Sequence, residues 1–278
     1  MEKETRQFIR DLIPPFFLGL YEMHVRKSGY SGNYASWDDA RRASGGYDAD
    51  VILNKVKDAL LKVKRGEAVY ERDSVLFDEV HYSWPLLAGL LWIASQNGNR
   101  LSVLDIGGSL GSSYFQNRRF LGHLTELRWG IVEQESFVAC GKDCFEDEHL
   151  KVYYGIDDCL REQRPDALLL SSVVPYIEKP YELLDEVLDR GFGYILVDRT
   201  PLLDGEADRI TVQKVPPEIY DASYPAWVLN RGKFLQRFSR DYEMVAEFDA
   251  LAGTIHLGDI RAYDKGFIFR KRPESGKI

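Results

Sequence analysis

The stretch LSVLDIGGSLG, residues 101–111, decides how the rest of the chain is read. A short apolar run ends in Asp105, and a glycine-rich turn follows at once with Gly107, Gly108, Ser109 and Gly111. The pattern predicts a buried strand, a turn in which backbone approaches a ligand, and a helix whose first N–H groups lack intrahelical partners. A dinucleotide fingerprint requires G-x-G-x-x-G. Here the glycines fall at 107, 108 and 111, so that spacing fails. A P-loop is excluded because no Gly-Lys-Ser/Thr follows. Asp105 at the strand end repels a pyrophosphate by like charge and suits a cationic or amine-bearing ligand.

Downstream of that turn the chain alternates short apolar runs with helical segments. Strands are expected at 101–106, 128–133, 151–154, 166–172 and 194–198, with helices between them that include 135–144 and 180–190. Such alternation predicts a parallel sheet covered on both faces, with ligands bound beyond the carboxyl ends of its strands. The Pro- and Tyr-rich stretch 215–228 reads as an ordered loop or lid, and 243–250 with 266–272 as a closing antiparallel pair. Upstream, residues 1–100 read as a mostly helical extension to a domain spanning 101–278. Ile52, Val56, Ala59, Leu60 and Val63 recur at helical spacing, with Gly66 placed to end that helix. Ser83 and Pro85 open a second, largely buried helix over 83–95.

A net charge of −8 without a Lys/Arg run argues against a nucleic-acid partner. Cys140, Cys144 and Cys159 match no common zinc spacing and are too few for a disulfide framework. The chain shows no signal-peptide pattern, and no apolar run approaches the ~20 residues that span a bilayer, so a cytoplasmic protein without integral membrane association is expected. The apolar segment FIRDLIPPFFLGL (8–20) packs on the core or docks on a membrane surface, a partner or a second copy of the chain.

The D-x-G-x-x-x-G pattern of Asp105, Gly107 and Gly111 resembles the first motif of class I S-adenosylmethionine-dependent methyltransferases. The resemblance extends to AVYERDSVLFDE (68–79), HYSWP (81–85), LDIGGSLGSSYFQNRR (104–119), WGIVEQ (129–134), LLSSVVPYI (169–177), VDRTP (197–201), TVQKVPP (211–217) and YPAW (224–227). Together these look like methyltransferases encoded with bacterial surface-polysaccharide genes, most of them without assigned substrates. The resemblance implies a Rossmann-like α/β fold, seven strands with the last antiparallel, and S-adenosylmethionine as cofactor. It implies a small-molecule acceptor, a sugar or sugar-nucleotide precursor. It puts Asp105, Gly107, Gly108, Ser109 and Gly111 under the methionine and ribose, and Glu133 with Gln134 on the ribose hydroxyls. Ile156 and Asp157, or Asp158 in its place, fall at the adenine, Ser171 at the cofactor, and Ser172 and Tyr176 facing the reaction.

An acceptor that is already anionic needs only positioning, whereas a hydroxyl needs a base. His81 and Asp198 are the candidates, each with a structural role as the alternative. Arg199 pairs with Asp198 or clamps an anionic acceptor. Arg72 and Asp73 anchor the N-terminal segment over the site or form a structural ion pair. Tyr82, Tyr114, Tyr224 and Trp227 are candidate aromatic walls, each equally suited to the core. The remaining histidines, His24, His123, His149 and His256, are scattered, and no metal is expected. Two other classes stay open: a nicotinamide-dependent oxidoreductase, and a non-catalytic scaffold that keeps the cofactor fold.

Overall fold

A computed structural model describes residues 29–46, 49–216, 219, 221–258 and 260–273; segment 8–20 and His24 lie outside the described residues. In chain order the elements begin with β1 (Gly29–Tyr34), α1 (Trp37–Ala43), α2 (Ala49–Lys64), β2 (Tyr70–Arg72), β3 (Val75–Phe77), α3 (Trp84–Gln96) and β4 (Arg100–Ile106). They continue with α4 (Ser112–Leu121), β5 (Glu126–Val132), α5 (Glu135–Cys144), β6 (Leu150–Tyr153), α6 (Ile156–Glu162), β7 (Ala167–Ser171) and a 3₁₀ turn at Val174–Tyr176. The rest are α7 (Pro180–Asp189), β8 (Tyr194–Leu203), β9 (Arg209–Lys214), β10 (Ser223–Asn230), α8 (Arg231–Phe238), β11 (Tyr242–His256) and β12 (Arg261–Lys271).

The apolar run that opens the motif becomes β4, and it lies at the centre of the sheet. Its side chains alternate between two apolar clusters: Leu101 and Val103 join one, Leu104 and Ile106 the other. That alternation into two cores is why the strand reads as continuously hydrophobic. β4 pairs in parallel with β5 and β7, β5 with β6, and β7 with β8. β12 then runs antiparallel against β8, and β11 antiparallel against β12. These seven strands are the expected Rossmann-like sheet, with the last strand reversed.

Local signals place the flanking helices well. The apolar positions of α2 are buried as spaced, and the helix ends where Gly66, at φ +76, donates its N–H to the Val63 carbonyl. Ser83 precedes α3 as expected, but its carbonyl rather than its side chain makes the first bond, accepting Leu87 N–H. No helix among the described residues is long and apolar enough to cross a membrane.

The sheet also departs from expectation. β8 continues past Asp198 to Leu203, and its last two residues pair in parallel with β10. β10 pairs antiparallel with β9, and β9 with β1, giving ten strands in all. Residues 223–228, read as loop or lid, are therefore strand, and the N-terminal region read as helical contributes a strand of its own. Tyr224, Trp227 and Val228 have strand propensity that becomes visible only once 210–214 lies beside them.

A β-bulge interrupts the β8–β12 ladder. The register passes from Lys265↔Thr200 to Phe267↔Val197, so Asp198 and Arg199 face the single residue Gly266. Bulges of this kind re-aim side chains at the ends of strands.

Candidate functional site

The carboxyl ends of β4, β5, β7 and β8 open on a cavity of about 810 Å³, within the range of small-molecule sites. Its first wall is the glycine turn. A Cβ on Gly107 would stand 2.5 Å from the Val173 side chain, and one on Gly108 would stand 2.6 Å from the Asp105 carboxyl. These glycines thus answer first to close approach within the protein. Gly111 has a similar role: at φ +103 it precedes α4 and packs against Leu150, away from the cavity lining.

Asp105 does not line the cavity. It is wholly buried beneath Gly108, where one oxygen accepts Trp129 Nε1–H at 3.2 Å and the other has no partner among the described residues. Burial, with repulsion from Glu133, pushes its carboxyl up to about 7. The expectation of a carboxylate aimed at the ligand is corrected to a buried acid behind the turn.

Glu133 and Gln134 do line the cavity. One Glu133 oxygen accepts Ser109 N–H at 3.2 Å and the other accepts Gln134 N–H at 2.8 Å. A carboxylate offers about four acceptor positions, so two remain for a ligand diol. Val132, Phe137, Ile52 and Val56 add an apolar wall beside it.

Above the turn lies the β2–β3 hairpin. Its Glu71, 2% exposed, accepts Ser74 N–H at 2.7 Å and the Ser112 hydroxyl at 2.9 Å. Burial raises the pKa of that carboxyl, although both bonds oppose the shift. Asp73 at the tip pairs with Arg199 at 3.3 Å, whereas Arg72 turns its guanidinium over the Phe77 ring.

The far wall comes from the strands added beyond β8. Tyr30, Gln213 and Tyr224 stand opposite one another on β1, β9 and β10 and form a row on one face. Tyr176, from the 3₁₀ turn after β7, donates its hydroxyl to Gln213 Oε1 at 2.7 Å and meets the Tyr224 ring edge-on. Ser171, Ser172, Arg199 and Asp264 complete this side. Arg199 contacts Asp73, the Ser171 hydroxyl at 3.4 Å and Asp198 at 4.0 Å. Burial works against its charge, but Asp73 and Asp198 outweigh it and raise its pKa. Asp198 lies behind the lining, 3% exposed, with one oxygen unpartnered among the described residues and its pKa raised by burial. The bulge explains the exchange, since it sends Arg199 rather than Asp198 to the surface of the cavity.

Backbone strain marks the same place. Among the described residues, six non-glycine residues have positive φ: Asp73, Ser74, Asn99, Ser109, Ser172 and Arg199. All but Asn99 line the cavity. Such conformations cost on the order of 1–3 kcal/mol each and collect where function requires them.

Several candidates lie elsewhere. Asp157 is exposed in the first turn of α6, paired with Arg190, whose hydrogen bond lowers its pKa, and Ile156 packs into the apolar core beneath. Asp158 pairs with Arg161. His81 is an exposed ring edge-on to Phe77, 3.6 Å from Glu79. Tyr82 packs on Trp84 and Phe120, and Tyr114 is buried against Trp129 and Phe115. Trp227 stacks on Trp37 and donates to the Glu178 carbonyl; of the two, Trp37 lines the cavity. In each case packing against a neighbouring ring or ion pair satisfies the side chain outside the site. Glu71, Asp264, Gln213 and Tyr30 were not foreseen. For Asp264 a signal existed: it occupies the buried phase of an alternating strand, two residues after buried Ala262. No group of three or more His, Cys, Asp or Glu side chains among the described residues is arranged to hold a metal.

No protein-family model matches the chain, and no curated protein sequence does. Among solved structures, the N-terminal domain of EvdMO1 with SAH bound is similar at 14% identity and a TM-score of 0.47, over 81% of this chain and 98% of that one. The Burkholderia thailandensis 1,6-didemethyltoxoflavin-N1-methyltransferase is similar at 10% identity and a TM-score of 0.39, over 82% of this chain and 92% of that one. Human N-acetylserotonin methyltransferase in complex with SAM is similar at 15% identity and a TM-score of 0.41, over 67% of this chain and 52% of that one.

Proposed function

We propose that the protein is an S-adenosylmethionine-dependent methyltransferase acting on a small molecule. The finer reading, a sugar or sugar-nucleotide precursor of surface polysaccharide, is carried by the sequence resemblance alone. The observation that carries the main reading is Glu133. It stands at the end of β5, tied to the glycine turn through Ser109 N–H, with acceptor capacity left toward the cavity.

The residues present fit that cofactor. Glu133 would accept the ribose hydroxyls, the backbone of Gly107–Ser109 would lie under the methionine and ribose, and Val132 and Phe137 would face the adenine. The cofactor is a nucleoside with net positive charge near neutral pH, and it enters a cavity rich in carboxylates. When bound it supplies an electrophilic methyl group on a sulfonium. The chain's own part is alignment and electrostatics. Strained, well-anchored residues hold the two binding surfaces in fixed relation, while the hairpin and the added strands keep water out. Tyr176, Gln213 and Ser172 offer hydrogen bonds for orienting an acceptor. A pyrophosphate-bearing dinucleotide would meet Glu71, Asp73 and Glu133, which weighs against the nicotinamide reading.

Calorimetry with S-adenosylmethionine and S-adenosylhomocysteine tests the proposal, with reduced dinucleotide as the competing ligand. Binding of the two nucleosides and not the dinucleotide is expected. Folded protein that takes neither nucleoside refutes the reading. A scaffold would bind them yet transfer no labelled methyl to any acceptor.

A further inference from the structure

The cavity carries an imbalance of charge. Its lining holds the carboxylates of Glu71, Asp73, Glu133 and Asp264, and Arg199 is the one Lys, Arg or His among the described lining residues. Three of the four carboxylates are engaged: Asp73 by Arg199, and Glu71 and Glu133 by two hydrogen bonds each. Arg199 in turn is held between Asp73 and Asp198, so it is not free for an anion.

Asp264 differs from the others. The β11–β12 register passes from Asp249↔Lys265 to Thr254↔Tyr263, so residues 250–253 loop out opposite it. Asp264 Oδ2 accepts Ala252 N–H at 2.8 Å and steadies that loop. Oδ1 makes no hydrogen bond among the described residues, although the residue is only 5% exposed and lines the cavity. A structural role accounts for one oxygen and leaves the other. A carboxylate oxygen that faces the cavity with no hydrogen bond from the protein is open to a donor on a ligand. Tyr30 and Arg199 lie within electrostatic range of it, and Tyr30 adjoins the row formed with Gln213 and Tyr224. Tyrosine faces attract cations, and a carboxylate beside such rings suits an ammonium group.

We propose that this half of the cavity is an ammonium subsite, and that the acceptor is a small molecule bearing a basic amine seated at Asp264 among Tyr30, Tyr176 and Tyr224. The inference rests on the methyltransferase reading for its meaning as an acceptor site. It narrows that reading: a nucleotide-linked acceptor would bring phosphates to a lining whose one cation among the described residues, Arg199, is already paired, and a plain alcohol would leave Asp264 without a counter-ion of its own. An amino sugar satisfies both the subsite and the sequence resemblance.

Ligand-observed NMR on the full chain, with and without S-adenosylhomocysteine, tests this with matched probes. One set is glucosamine, glucose and glucose 6-phosphate; the other is 2-phenylethylamine and 2-phenylethanol. The amine of each set should bind at least about tenfold more tightly than its partners, and Asp264→Asn should erase that margin. Equal or tighter binding of an alcohol or phosphate, no amine preference in either set, or a preference unchanged by Asp264→Asn overturns the proposal. Should the variant not fold, the wild-type comparison still decides. Calorimetry with S-adenosylhomocysteine on the same sample separates the two readings, because an amine preference without nucleoside binding would sink the enzyme and spare the subsite.

Discussion

The two halves of the cavity are built in different ways. The half proposed for the cofactor comes from one turn and the end of the next strand, so its residues are close in sequence and follow a spacing. The half proposed for the acceptor draws Asp73 from the β2–β3 hairpin, Tyr30 from β1, Tyr176 from the turn after β7, Gln213 and Tyr224 from β9 and β10, and Asp264 from β12. A local motif can build a site that many ligands share. A surface assembled from separate strands can be changed piece by piece without disturbing that motif, and it is where acceptor specificity would be set.

The largest expected effect tests whether the motif half depends on its buried acid. An aspartate titrates near 3.8 when exposed, and the carboxyl of Asp105 lies at about 7 in the fold. Between those values the folded chain keeps a proton that the unfolded chain has released. Its contribution is therefore full below the lower value and is lost as pH rises through the higher one. The loss is on the order of 4 kcal/mol. Asp264, at about 6, adds a smaller effect of the same sign. Urea denaturation of the free protein at pH 4.5 and 8 should show lower stability at pH 8, and Asp105→Asn should remove the largest single part of the difference. An equally steep fall in the variant would contradict this account.

A smaller effect probes the bond between turn and strand. Glu133→Ala should weaken S-adenosylhomocysteine binding by about one to two decades, roughly 1.4–3 kcal/mol. Unchanged affinity by calorimetry would remove Glu133 from the ribose role and with it the main support for the cofactor half. The smallest effect is expected outside both halves. His81→Ala should change stability and nucleoside affinity by less than about 0.5 kcal/mol, because the ring is exposed and meets Phe77, Tyr70 and Glu79 at the surface. A loss of tenfold or more would restore His81 to the site.

The sequence was most legible where one physical requirement governs a short stretch. Apolar runs covered on both faces located β4, β5, β6 and β7 to within a residue or two, and helical spacing located α2 and α3. The glycine spacing and Glu133 pointed to one wall of the cavity, since Gly107, Gly108, Ser109 and Glu133 all line it. Asp157 lies outside the cavity lining because a carboxylate in the first turn of a helix can turn to either side, and here it pairs with the distant Arg190. Tyr82, Tyr114 and Trp227 lie outside it for a related reason, since an aromatic residue serves a core as readily as a pocket.

By itself, then, the sequence determined the parallel sheet, the antiparallel strand pair at its edge and the glycine turn that lines the cavity. Local periodicity and turn chemistry act over a few residues and leave their mark there. Only the tertiary structure decided that 223–230 is strand, that a bulge presents Arg199 in place of Asp198, and that Tyr30, Gln213, Tyr224 and Asp264 share one wall. Those outcomes depend on pairing between segments far apart in the chain. A strand at a sheet's edge gains its hydrogen bonds from its neighbour, and nothing within the strand itself names that neighbour.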